Sequence, residues 1–148
     1  MVNGDRQVRR TLDIQSHTKN LAIVRDEVES TALECGFDEG AIYQVKVAVS
    51  EAVANAIEHG SPRGPKDSVH LVIECDRTRL SIEVIDRGVF KARLPVTDGR
   101  PSHRGRGIFL MTALMDEVNI TESQEGTIVR LVKLKDREGI RQQEQSVL

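Results

Sequence analysis

The segment Ser50–Gly60 reads SEAVANAIEHG, and its polar residues fall in a pattern that could do chemistry. Glu51 and Asn55 are four residues apart, so on a helix they stand one turn above the other on one face. Glu58 and His59 continue that stripe, while Val45, Ala48, Val49, Ala52, Val53, Ala56 and Ile57 wrap the rest. A solvated stripe on an amphipathic helix is the plainer reading. Such a stripe would more naturally carry Lys or Gln, because Asn is a poor helix former. An Asn carbonyl oxygen suits a hard cation, and a Glu carboxylate suits proton acceptance from a nucleophile.

Two further stretches could complete a site. Asp86 closes the alternating run RLSIEVID and precedes Gly88. A carboxylate at a strand end can accept hydrogen bonds from an exocyclic amine, although Asp-x-Gly is also ordinary turn chemistry. HRGRGIFLM then runs from a basic, glycine-rich loop into a helix. Helix N-terminal N–H groups attract phosphates, and Gly105 and Gly107 allow close backbone approach. Between positions 91 and 106 the five basic residues Lys91, Arg93, Arg100, Arg104 and Arg106 face only Asp98, a net +4 in a chain of net charge −2. That contrast favours a polyanionic ligand, with a basic loop on glycine hinges as the alternative.

Several common nucleotide and metal signatures are missing. There is no G-x-x-x-x-G-K-[ST] loop, GRGIFL lacks the third glycine of the dinucleotide fingerprint, and DRG is not accompanied by an H-R-D loop. His17, His59, His70 and His103 show no ligand spacing, which argues against a metal-only hydrolase.

The elements that must position these residues can be read from periodicity. QVRRTLDI partly alternates and predicts a first strand. Ser16 is a candidate N-cap for a helix over 16–37, in which Leu21, Val24, Val28 and Leu33 recur and Gly36 is the stop. Asp38 is the candidate N-cap of a second helix that Gly60 ends. SVHLVIECD and RLSIEVIDRG predict two strands. The stretch from Val89 into the glycines has no sustained period, and a connection this long in a small domain is usually functional. IFLMTALMDEV reads as a third helix opened by Gly105 and Gly107. VNITESQ and GTIVRLVKLKD read as a closing hairpin through Glu125-Gly126. Residues 136–148 are a polar tail. The order β-α-α-β-β-loop-α-β-β predicts an α+β two-layer sandwich, a mostly antiparallel sheet covered on one face by three helices.

Bulk properties limit the function classes. A chain of 148 residues suits one domain with a full core, and 39% hydrophobic with 30% charged content suits a folded protein. Trp is absent and Tyr43 with three Phe are the only aromatics, so a base-stacking platform and direct nucleic-acid binding are not expected. Cys35 and Cys75 lie in no metal-spaced pattern and read as reduced core residues of a cytosolic protein. No apolar leader and no membrane-length run is present, so a soluble, cytoplasmic protein with no membrane partner is expected.

Taken in order, SEAVANAIEHG, DRG, RGRGIFLMTALMDEV and GTIVRLVK resemble the GHKL ATPase superfamily and, within it, the bacterial anti-sigma factor serine/threonine kinases. The resemblance extends from the first strand to about Lys135 and implies a Bergerat-type ATP-binding fold. It implies ATP and Mg²⁺ as ligands, with Asn55 helping to coordinate the metal and Glu51 as the general base. Asp86 would accept from the adenine amine, Gly88 would let the base approach, and Thr127 would support that contact, through water. Gly105, Gly107 and neighbouring amides would cradle the phosphates with Arg104 or Arg106, and the loop from Lys91 to Arg104 would be the ATP lid. One departure stands out: Phe90 occupies the place of the second glycine in the family's Asp-x-Gly-x-Gly. The implied partners are a sigma factor, a STAS-type anti-anti-sigma protein as phosphoryl acceptor, and a second copy of the chain. A nucleotide-dependent non-catalytic binding module, a switch kinase acting on a scaffold-like STAS protein, and a plain interaction domain are the alternatives.

Overall fold

The structure is a computed structural model that describes residues 7–87 and 103–135, with residues 103–106 described by their backbone. The elements run β1 (Val8–Gln15), α1 (Leu21–Glu34), α2 (Glu39–His59), β2 (Ser68–Cys75), β3 (Arg79–Asp86), α3 (His103–Leu114), β4 (Glu117–Ser123) and β5 (Gly126–Leu134). The strands form one sheet in the order β1-β2-β3-β5-β4, and every described pairing is antiparallel. The α+β sandwich read from the sequence is the fold observed.

Alternation builds the helix-facing side of the sheet. Val69, Leu71, Ile73 and Cys75 of β2 and Leu80, Ile82 and Val84 of β3 point into the core, as the two-residue period of a strand requires. α2 lies over them as the central helix, packing on β2, β3 and β5 and on both other helices. Its buried Val45, Ala48, Val49, Ala52, Val53 and Ala56 form a stripe at helical spacing, and the alanines let neighbouring backbones come close. Asp38 caps α2 as expected, accepting from the Ala41 N–H at 2.8 Å.

Other boundaries differ from the sequence reading. Ser16 does not cap α1. It is buried, its hydroxyl donates to Ser61, and Ser61 in turn donates to the Ala56 carbonyl at 2.9 Å. His17 instead caps a short 3₁₀ turn over Thr18–Asn20, accepting from the Lys19 N–H at 3.0 Å. α3 begins at His103, so Gly105 and Gly107 lie inside its first two turns rather than ahead of it. It ends at Leu114, because Asp116 already pairs with β5 through its N–H to the Val132 carbonyl at 2.9 Å.

Cys35 and Cys75 are joined in a disulfide, which corrects their reading as reduced thiols. The turn after α1 brings Cys35 to the end of β2, with a Cα–Cα distance of 6.3 Å that suits the bond. Among the described residues no helix is long and apolar enough to cross a membrane. The segment 136–148, read as a tail, lies outside the described residues.

Candidate functional site

The topology creates the site by returning β5 between β3 and β4. Asp86, the last residue of β3, stands directly opposite Thr127, the second residue of β5. Both side chains face the helical layer, at 7% and 3% exposure. Burying a carboxylate here is costly unless its oxygens are engaged. The Thr127 hydroxyl is buried with no hydrogen-bond partner among the described residues. The Ser50 hydroxyl is in the same state, and a buried unsatisfied hydroxyl calls for an explanation, a bound water or ligand among them.

The C-terminal half of α2 forms the opposite wall. Asn55, Ala56, His59 and Gly60 line a pocket with Asp86 and Thr127, and its apolar side is Ile108, Met111, Ile120 and Val129. The pocket is partly open to solvent. A mostly apolar cleft with a few convergent polar groups is the usual form of a small-molecule site. The stripe read on SEAVANAIEHG therefore divides. Glu51 and Asn55 are half-buried against α3, whereas Glu58 is exposed and lies 3.8 Å from the His59 ring.

Gly107 is what lets α3 reach that stripe. A Cβ built there would stand 2.6 Å from Glu51 Oε1 and 3.1 Å from Asn55 Nδ2. The glycine so brings Glu51, Asn55 and the start of α3 together. Glu51 and Asn55 present hard oxygens, and among the described residues no cluster of three or more His, Cys, Asp or Glu could hold a metal alone. Carboxylate and amide oxygens are the ligand type a hard cation such as magnesium takes.

Two glycines outside the expected set also shape the pocket. Gly60 was legible as a helix stop, yet its role is spatial, since a Cβ there would lie 2.6 Å from Asp86 Oδ1. Gly126, read as a hairpin residue, has φ +143°, and a Cβ on it would meet the Arg87 Cα at 2.8 Å. Gly88, Phe90 and the lid stretch from Lys91 lie outside the described residues. Arg104, Gly105 and Arg106 fall within the first turn of α3, where the backbone alone is described.

Comparison with known proteins identifies the family. Residues 14–133 match the histidine kinase-like ATPase domain family. An anti-sigma F factor of Clostridium acetobutylicum is 36% identical over 132 residues, 84% of this chain and 90% of that protein. The serine-protein kinase RsbW of Bacillus velezensis is 29% identical over 140 residues, 87% of each chain. A crystal structure of the RsbU and RsbW domains of a Mycobacterium tuberculosis protein superposes with a TM-score of 0.67 at 23% identity, which speaks for the fold. The superposition spans 87% of this chain and 33% of that one. The chain belongs to the GHKL-type histidine kinase-like ATPase family, in its anti-sigma factor and serine-protein kinase branch.

Proposed function

We propose that the chain binds Mg-ATP in the pocket between α2 and the β3–β5 ends and transfers the γ-phosphoryl group to a serine or threonine of a STAS-type antagonist. In the antagonist's absence it holds a sigma factor, and it works as a homodimer. The observation that carries the reading is the Asp86–Thr127 pair. A buried carboxylate faces a buried hydroxyl that has no described partner, and both line a mostly apolar cleft. A carboxylate accepts from the adenine amine, and Thr127 supports that contact through water. The apolar wall of Ile108, Met111, Ile120 and Val129 suits the faces of the base.

The phosphates then run toward Asn55 and the start of α3, where Gly105, Gly107 and Arg104 or Arg106 receive them. Magnesium, when bound, neutralises charge on the phosphate oxygens, and Asn55 is the side chain that would hold it. Glu51 accepts the proton of the acceptor hydroxyl. The hydroxyl oxygen bonds to the γ-phosphorus as the bond to the bridging oxygen breaks, and ADP leaves.

Incubation with radiolabelled ATP, Mg²⁺ and a STAS protein encoded nearby tests this reading. Label is expected on the STAS protein, lost in Glu51→Ala with ATP binding retained. Nucleotide-dependent retention of the partner without label would instead indicate a non-catalytic module. Calorimetry with no ATP or ADP binding at millimolar concentration would contradict both.

A further inference from the structure

We infer that Gly60 sets the pocket's base specificity by holding the Asp86 carboxylate in place; this rests on the reading of Asp86 as the adenine contact. Gly60 ends α2 and donates its N–H to the Ala56 carbonyl at 2.9 Å. Glycine at a helix end is ordinarily explained by a left-handed backbone. Here φ is −102°, which any residue adopts. Gly36, which follows α1, does need the left-handed conformation, with φ 84°. Backbone geometry therefore does not call for glycine at position 60, and the missing side chain must matter for its space.

That space belongs to Asp86. A Cβ on Gly60 would stand 2.6 Å from Oδ1 and nearer still to Cγ and Oδ2. Asp86 is confined on its other side as well, because the Gly126 turn packs against the backbone at Asp86 and Arg87. Asp86 is 7% exposed, with its carboxylate against Gly60 and its backbone against Gly126. A methyl group at position 60 must displace it from the base it would recognise. Purines bearing an amine donate to a carboxylate there, whereas those bearing an oxygen at that position present a second acceptor and are repelled. Gly60 is thus a positioning residue, acting through Asp86.

The test is equilibrium binding of ATP and of inosine triphosphate, in which an oxygen replaces the amine, to the full chain with Mg²⁺. Wild type is expected to prefer ATP by about tenfold or more, the worth of one hydrogen bond to a charged group. Gly60→Ala should bring the ratio close to one, while Gly40→Ala, at the other end of α2, keeps it. Wild-type chain that does not discriminate would overturn the reading of Asp86, and the specificity claim with it. Discrimination retained in Gly60→Ala would overturn the inference alone. Melting in an Asp86→Ala background covers poor folding of the single variant. Gly60→Ala should lower the melting temperature with Asp86 present and leave it nearly unchanged with the carboxylate removed. Equal losses in both backgrounds would overturn the inference.

Discussion

Asp86 and Thr127 face each other across neighbouring antiparallel strands, and both are buried at the open end of the sheet's helical side. Thr127→Val removes a hydroxyl that has no described partner while keeping the side chain's shape. Without nucleotide the variant should be as stable as wild type or more so, by about 1 kcal/mol, because a buried unsatisfied group is lost. ATP affinity should fall several-fold. Thermal melting with and without ATP checks both signs, and a variant destabilised alone yet binding normally would contradict the role given to Thr127.

Glu51 and Asn55 share a face of α2, but their proposed tasks differ. Asn55→Ala should weaken Mg²⁺-dependent ATP binding about tenfold or more, the effect of losing a charge-assisted contact. Glu51→Ala should leave binding nearly intact and slow phosphoryl transfer by about 10²–10⁴-fold, the usual worth of a general base. Calorimetry with a single-turnover assay separates the two, and equal binding losses would contradict the division.

Gly107→Ala places a methyl group 2.6 Å from Glu51 Oε1. Either α3 shifts outward or the carboxylate turns aside. Transfer is expected to fall more than ATP binding, and the measurement is kcat against the ATP dissociation constant in the same preparation.

The Cys35–Cys75 disulfide closes a chain segment with a sequence separation of 40. A loop of that size gives the bond about 4 kcal/mol of stabilisation on the chain-entropy account. Reducing agent should therefore lower the melting temperature of wild type and leave Cys35→Ser unchanged. Alkylation followed by mass measurement should find no free thiol before reduction.

Asp76 organises the β2–β3 turn, accepting from the Thr78 N–H at 2.7 Å, the Thr78 hydroxyl at 2.8 Å and the Arg79 N–H at 3.0 Å. Burial pushes its carboxyl up, but those hydrogen bonds and the Arg79 charge together outweigh it, leaving the group below its ordinary 3.8. A depressed carboxyl stabilises the fold above its unfolded value, and the contribution is lost as pH falls through the folded value. Chemical denaturation should show Asp76→Asn less stable than wild type at neutral pH, with the difference shrinking below pH 3.8.

Much of this arrangement is legible in the sequence, because local rules govern it. Alternation in β2 and β3, the apolar stripe of α2 and the Asp38 cap are decided within a few residues. The Glu51–Asn55 face follows from helical period alone. What could not be read depends on pairing between distant segments. β5 inserts between β3 and β4, and only that crossover sets Thr127 opposite Asp86. Ser16 resembles a helix cap until burial draws its hydroxyl to Ser61. The two cysteines look unrelated until the end of α1 meets the end of β2. Gly60 carries a plausible local reading as a stop, which hides its contact with a strand 26 positions further on.

The most direct measurement is the binding of Mg-ATP to wild type and to Asp86→Asn by calorimetry at neutral pH. Asparagine keeps the size of the side chain but loses the charge that the adenine amine would meet. The expected result is saturable binding to wild type, weakened by about tenfold or more in the variant. Equal affinity in both proteins, or no binding to wild type at millimolar ATP, would contradict the assignment of this pocket to the nucleotide.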